Sequence, residues 1–364
     1  EHGDGRLRGQ FIPLMLGDKI YNLLKDLKHT WDPNNVFNAN KIIDTPPMNT
    51  FLRYKPGVET KKVETIFDFS ETGGFLRTAE KCNGSGDCRK SHIFGGTICP
   101  SFQATRDEKN STRARANILR EIFTNNEISE AFKEKQLYDV LDLCLLCKAC
   151  KSECPSGVDV AKLKMEFLQH YYDANHIPIR AKVIGNLPKL IKFASNFTTL
   201  SNLVFRNRIT ASIIKKLSGF HHKRKIPELS KINLNKWAVR YSESLKPASD
   251  FKKIIYLLND EFTNFIESHT GIAAIHFFTK LGYEVRLTPI IYSGRTYLSK
   301  GLVRKAKKIA NDNIIKLNIL IENGFDIIGL EPSTILSFRD EYPDLANSEN
   351  KEAALKLASH SFLY

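Results

Sequence analysis

All seven cysteines of this chain fall in one window, from Cys82 to Cys154. Four of them, Cys144, Cys147, Cys150 and Cys154, form a C-x2-C-x2-C-x3-C run closed by Pro155. That spacing belongs to bacterial proteins with two iron–sulfur clusters. Two residues between successive cysteines let one tight loop aim three thiolates at three irons of a cubane, while the fourth, set before proline, faces a second cluster. The upstream stretch KCNGSGDCRKSHIFGGTICPS supplies the remaining thiolates. Cys82 and Cys88 keep the separation of the first and third cysteines of the run, Cys99 precedes Pro100, and Ser85 stands where the middle ligand belongs. Exchange of the proline-linked cysteines groups Cys99 with Cys144, Cys147 and Cys150, and Cys154 with Cys82 and Cys88. The first group suits a 4Fe-4S cluster. The second, with three thiolates, suits either a 3Fe-4S cluster or a 4Fe-4S cluster completed by an oxygen or nitrogen ligand, for which Ser85, Asp87 and His92 are the nearest candidates.

Two other uses of cysteine fit less well. Structural zinc sites favour two separated cysteine pairs, often with histidines. Disulfides are disfavoured by the odd count and by the lack of a secretory leader, so the expected compartment is a reducing cytoplasm.

At 364 residues the chain is long enough for two or three domains, and its 42% apolar content is that of a water-soluble protein. No stretch reaches the roughly eighteen apolar residues of a membrane span. The formal charge of +14 is unevenly distributed: from Arg180 to Arg240 fourteen lysines and arginines face a single acid, Glu228. Residues 186–218 interleave these cations with Leu, Ile, Phe and Val as short amphipathic helices do, and HHKRK follows at 221–225. A solvated basic surface is the plain reading. Peripheral contact with the inner face of the cell membrane, or docking of an acidic electron carrier, are the functional ones. No nucleic-acid-binding signature accompanies the charge, so nucleic acid is not an expected partner.

The chain divides by pattern into five stretches. Residues 1–52 begin at EHGDGRLRG and pass through a helical stretch into WDPNNVFNANKIIDTPP, too little for a domain, which suggests a piece of a longer polypeptide. Residues 53–74 read as a linker. Residues 75–172 carry the cysteines between helical stretches, STRARANILREIF, ISEAFKEKQLYDVLDLC and KLKMEFLQHYY, the plan of an α-helical dicluster ferredoxin. Arg113 and Arg115 lie between the motifs and either offset cluster charge or face solvent. Residues 173–250 form the basic helical segment. From 251 to 364 apolar strands (IIYLLND, YEVRLTPII, FDIIGLE) alternate with helices (GIAAIHFFTKLG, GLVRKAKKIANDNIIKLNILIENG), which predicts a parallel α/β sheet with its loops SGRTYLSKG and EPST at the strand ends. The fold class is therefore multidomain, α followed by α/β.

With these residues in view, the chain resembles the fused flavin and iron–sulfur D-2-hydroxy acid dehydrogenases of bacteria, which include cytochrome-type D-lactate dehydrogenases, glycolate oxidase-like proteins and D-2-hydroxyglutarate dehydrogenases. EHGDGRLRG with DPNNVFNANK resembles the end of the FAD-linked oxidase C-terminal domain. The cysteine region resembles the family's ferredoxin insert, and residues 252–345 resemble the cysteine-rich domain of heterodisulfide reductase subunits. The resemblance implies a divalent metal held with the help of Glu1, a base for the substrate hydroxyl at His2, and a flavin-adjacent amide at Asn38, where NANK replaces the family's NPGK. A carboxylate beside an imidazole suits that chemistry. In the last domain the family's C-C-G falls on Tyr292, Ser293 and Gly294, and a later cysteine on Thr334. No thiolate remains there, so a scaffold or docking role is expected, with Gly294 and Arg295 in a plain turn or, as the alternative, shaping an anion-binding loop.

The function implied is a flavin-dependent dehydrogenase that passes electrons from a D-2-hydroxy acid through FAD and two iron–sulfur clusters to a quinone, cytochrome or other carrier. The alternative is an electron-transfer subunit without substrate chemistry, similar to those of heterodisulfide reductase or anaerobic glycerol-3-phosphate dehydrogenase.

Overall fold

The computed structural model describes residues 3–52, 57–241 and 253–364. It is mostly helical, with one small parallel sheet, and separates into two compact units, Glu1–Glu59 and Thr60–Tyr364.

The first unit is one helix and a returning loop. Helix α1, Ile12–Trp31, carries Pro13 in its first turn, where a missing N–H costs nothing, and kinks at Gly17, whose φ is +77°. Asp32 ends it by accepting the N–H groups of Val36 (2.8 Å) and Phe37 (2.9 Å). The loop then folds back onto the GDGRLRG stretch: Ile42 N–H donates to Gly5 C=O at 2.9 Å, and the Arg6 guanidinium donates to the carbonyls of Pro46 and Thr50 at 3.1 and 3.0 Å.

In the second unit the chain enters a core almost at once. Within the segment read as a linker, Phe67 and Phe69 are buried, and the buried Glu166 carboxylate accepts the N–H groups of Ile66 (2.8 Å) and Phe67 (3.0 Å). Helices α2 (Phe75–Glu80), α3 (Pro100–Thr105), α4 (Thr112–Asn125), α5 (Ile128–Ala131), α6 (Lys135–Asp142), α7 (Ala149–Ser152) and α8 (Val160–Ala174) surround the cysteines. Ser111 caps α4 by accepting Ala114 N–H at 3.0 Å, and Asp159 caps α8 by accepting Lys162 N–H at 2.9 Å. The single helix expected over 128–144 is broken between α5 and α6, because Phe132 turns inward to stack on Phe167 and His170, with centroids 6.2 and 4.3 Å away.

The basic segment follows as α9 (Ile179–Gly185), α10 (Leu187–Ala194), α11 (Thr198–Arg206), α12 (Arg208–Ser218) and α13 (Leu234–Arg240). The α/β part then runs β1 (Ile254–Leu257), α14 (Glu261–Phe265), α15 (Ser268–Lys280), β2 (Glu284–Leu287), α16 (Arg295–Leu298), α17 (Val303–Glu322), β3 (Ile327–Gly329), α18 (Pro332–Arg339), α19 (Glu341–Leu345), α20 (Lys351–Ser359) and β4 (Ser361–Leu363). Every strand pair is parallel and the order is β2-β1-β3-β4, with Ile255 opposite Val285 and Leu257 opposite Ile328. The three expected strands are present. The fourth, only three residues long, lies beyond what periodicity detects. Helical and α/β parts share one core, in which α8 packs on α17 and Arg304 pairs with Asp173 at 2.6 Å.

Candidate metal centre

No disulfide joins the seven cysteines, and they cluster at the ends of helices. The loop from α6 to α7 turns back on itself through left-handed Leu146 (φ +56°) and Lys148 (φ +62°), the two residues that flank Cys147. This turn presents Cys144, Cys147 and Cys150 to a narrow cavity, and Cys99 lines the same cavity together with Ser101, Thr112 and Arg115. Glu153 laces the two cysteine stretches together: one residue before Cys154, its carboxylate accepts the N–H groups of Thr97 (2.9 Å) and Ile98 (3.1 Å), just before Cys99. Cys88 lies near Cys99 as well as near Cys82 and Cys154. Burial pushes its thiol pKa up, and the nearby Cys99, Cys82 and Cys154 push in the same direction, while the Arg113 N–H, 3.4 Å from its sulfur, opposes them. Among the described residues no three Cys, His, Asp or Glu side chains converge as a single bound ion requires.

The surrounding groups suit thiolates carrying excess negative charge. Arg115 is fully buried; its Nη1 donates to Cys99 Sγ at 3.5 Å and to Ser101 Oγ at 2.9 Å, and its Nε to Val140 C=O at 3.0 Å. Its Nη2 has no partner, so this guanidinium brings more positive charge to the cavity than its neighbours use. Cys99 feels the result. Burial alone raises a thiol pKa, yet hydrogen bonds from Ser101 and the Phe102 N–H, with the charge of Arg115, hold this one below its ordinary value. At Cys150 burial, with Asp159 nearby, outweighs the N–H groups of Val160 and Ala161 and drives the thiol up to about 12. A thiol of that kind becomes a thiolate only when a soft metal takes the place of its proton. Donor set, cationic neighbours and sulfur-directed N–H groups together fit an iron–sulfur centre.

Lysines complete this shell. Lys164 Nζ, buried, donates to the carbonyls of Asp142 and Cys144, both at 2.9 Å, and so braces the entry to the cysteine loop. Lys148, inside the motif, pairs with Asp340 and lies 3.4 Å from Glu341 and 3.9 Å from Asp159; Lys151 also pairs with Asp340. Arg295 secures Glu341 at 2.6 Å. Carboxylates of the α/β part thus clamp the cysteine loop. Nothing local in the sequence announces this, because Lys148 and Asp340 are 192 residues apart.

The remaining candidates stand apart from the thiols or at the surface. Ser85 is exposed, Asp87 is held by Lys90 and Ser85, and exposed His92 lies 3.3 Å from Arg106. Of the two arginines between the motifs, Arg115 is turned inward, whereas the Arg113 side chain lies outward near Glu108 at 3.4 Å and only its N–H reaches a sulfur. Glu1 and His2 lie outside the described residues. Asn38 is exposed with φ +48°, and its side-chain oxygen accepts Lys41 Nζ at 3.0 Å.

In the α/β part Ser293 and Thr334 are both buried. Ser293 donates its hydroxyl and N–H to the Glu261 carboxylate at 2.8 and 3.0 Å, and the Thr334 hydroxyl has no partner. Burial, with Asp260 adjacent, raises the Glu261 pKa from its ordinary 4.5 to about 7. Between those values the folded chain holds a proton that the unfolded chain has released, so stability falls as pH rises from about 4.5 through about 7 and then levels off. Thermal melts across this window should show that slope, and Glu261→Gln, neutral throughout, should flatten it. An unchanged slope would mean that another group titrates.

Residues 78–158, which hold every cysteine, match the 4Fe-4S dicluster domain, and residues 1–42 match the C-terminal domain of FAD linked oxidases. The D-2-hydroxyglutarate dehydrogenase of Pseudomonas putida is 26% identical over 390 residues, which cover 96% of this chain and 38% of that protein. The glycolate oxidase iron–sulfur subunit of Escherichia coli is 35% identical over 65 residues, covering 18% of this chain and 15% of that protein. One of the subunits of the anaerobic glycerol-3-phosphate dehydrogenase of Escherichia coli is 22% identical over 199 residues, covering 54% of this chain and 49% of that protein. No solved structure matches the chain.

A flavoprotein-oxidase tail joined to a dicluster iron–sulfur module defines the class of this protein. The chain fits the fused FAD and iron–sulfur family to which the D-2-hydroxyglutarate dehydrogenases belong, and it spans 38% of the length of the Pseudomonas relative.

Proposed function

We propose that this chain is the electron-relay portion of a flavin-dependent D-2-hydroxy acid dehydrogenase, with D-2-hydroxyglutarate as the first substrate to test and D-lactate and glycolate after it. The observation that carries the reading is the union in one chain of a FAD-linked oxidase tail at 1–42 with a dicluster domain at 78–158. FAD supplies acceptance of two electrons and their release one at a time, which is the form iron–sulfur clusters carry. Cys99, Cys144, Cys147 and Cys150 would hold one cluster and Cys82, Cys88 and Cys154 the other. Arg115 and Lys164 offset part of their charge. In the substrate site His2 takes the hydroxyl proton, Glu1 contributes to a divalent metal site, and Asn38 lies by the flavin. The return of the 32–52 loop onto the stretch that follows His2 supports that grouping, since Ile42 bonds Gly5 directly. The electron acceptor is a quinone, a cytochrome or another carrier.

The test is anaerobic isolation of the complete natural protein, analysis for iron and acid-labile sulfide, and mixing with each hydroxy acid while cluster EPR signals are followed. Reduction of the clusters by one of the acids is expected. Protein free of labile sulfide would overturn the relay. Intact clusters that none of the acids reduces would favour a pure electron-transfer role, the reading that the match to a glycerol-3-phosphate dehydrogenase subunit supports. Within the relay, Ser85→Cys offers a thiol between Cys82 and Cys88. It should alter the EPR signal of one cluster only, and equal changes in both, or none, would refute the grouping.

A further inference from the structure

Three successive helices, α10, α11 and α12, expose large apolar side chains at helical spacing. On α12 these are Ile209, Ile213 and Leu217, each four residues from the next; on α11, Leu200 and Leu203; on α10, Leu190 and Phe193. All are between 49% and 73% exposed. Phe197, just after α10, sets its ring 6.2 Å from that of Phe193. Single exposed apolar residues are ordinary, but stripes repeated on three helices in a row are not.

The same helices are cationic. Lys189 and Lys192 share the exposed arc of α10 with Phe193 and Leu190, Lys215 and Lys216 lie on α12, and 221–225 adds HHKRK. The single acid of the segment, Glu228, is already engaged by Arg206 at 2.6 Å. Beside α10 opens a cavity of about 570 Å³ between that helix, the segment after β2 and one face of α17. Lys189 and Lys192 line one wall and Lys305, Lys308 and Lys316 the other, against a single carboxylate, Asp312. None of these five lysines has an ion-pair partner among the described residues. The charge that converges on this space is not neutralised by the protein.

We infer that this face is a docking surface for an anionic lipid bilayer, with the apolar stripes entering the interface and the cavity lysines receiving headgroup phosphates. Charge complementarity selects that occupant: a cationic helical face studded with Phe, Leu and Ile combines acyl-chain contact with phosphate attraction. Nucleic acid would use the lysines but leave the apolar stripes in water. Among the described residues no helix is long and apolar enough to cross a membrane, so the helices would lie on the bilayer. The inference is independent of the dehydrogenase reading, because lipid binding is measured without turnover.

The experiment is flotation of the complete natural protein, clusters loaded, with vesicles of phosphatidylcholine alone or containing about 30% phosphatidylglycerol. The anionic vesicles should hold on the order of tenfold more protein at low salt and lose it as salt rises. Lys189→Glu with Lys192→Glu, and separately Lys308→Glu with Lys316→Glu, should each weaken binding on the order of tenfold or more. Phe193→Ser with Phe197→Ser should weaken it while the salt dependence remains. All six positions are exposed, and unchanged cluster absorption reports an intact fold. No flotation, equal flotation with both vesicle types, or full binding by the lysine variants would overturn the proposal. So would a dimer, seen by light scattering, that Phe193→Ser converts to monomer, since a second copy would then cover the face.

Discussion

Replacing Arg115 with leucine lowers the reduction potential of one iron–sulfur centre by about 60–130 mV and leaves the other nearly unmoved. An added electron makes a thiolate-ligated cluster more negative, so a fixed cation beside it favours the reduced form, and removing the cation favours the oxidised one. A charge-assisted hydrogen bond is worth about 1.5–3 kcal/mol. For a one-electron couple about 59 mV corresponds to a factor of ten, or about 1.4 kcal/mol, which gives the stated range. The effect is confined to one centre because the side chain reaches Cys99 at 3.5 Å and its other hydrogen bonds go to Ser101 and Val140. Redox titration followed by EPR reads both centres at once. Arg115→Lys keeps the charge but loses the fork that meets three acceptors, so its shift should be smaller and of the same sign. An upward shift, or equal shifts at both centres, would remove Arg115 from its assigned place.

The two arginines also show what sequence can and cannot tell. Cysteine spacing is legible because cluster geometry imposes it on the chain locally, and the parallel strands are legible because short apolar runs alternate with helical stretches along the chain. Arg113 and Arg115, two residues apart on α4, look alike in the sequence. The helical period turns only Arg115 toward Cys99, and which arc of α4 meets the cavity is set by packing against distant elements. The break between α5 and α6 has the same origin, since Phe132 leaves the helical pattern to reach Phe167. Lys148 and Asp340 meet only because the α/β part folds against the cysteine loop, and no window of sequence contains both. The loss of cysteine at Ser293 and Thr334 could be read from the chain, but the bond from Ser293 to Glu261 could not.

The contact between the helical and α/β parts predicts that Gly301→Ala destabilises the protein far more than Gly324→Ala. Both glycines have left-handed backbones, with φ of +67° and +75°, so alanine at either costs about 1–2 kcal/mol of conformational strain. Around Gly324 there is open space. At Gly301 a new Cβ would lie 2.2 Å from Leu168 Cβ and 3.0 Å from its Cδ1. A Cβ cannot swing aside as a side-chain tip can, so α8 itself must move, and overpacking of this kind adds about 1–3 kcal/mol. The displacement should reach the metal centre, because α8 begins at Val160, directly after the cysteine loop, with its cap Asp159 facing Lys148 at 3.9 Å. Gly301→Ala should therefore lower the melting temperature by several degrees more than Gly324→Ala and speed the loss of cluster absorbance in air, whereas Gly324→Ala should lose its clusters at the wild-type rate. Equal destabilisation by the two would mean that α8 and the segment before α17 do not pack as described, and a stability loss without cluster lability would mean that α8 does not transmit the shift to the cysteine loop.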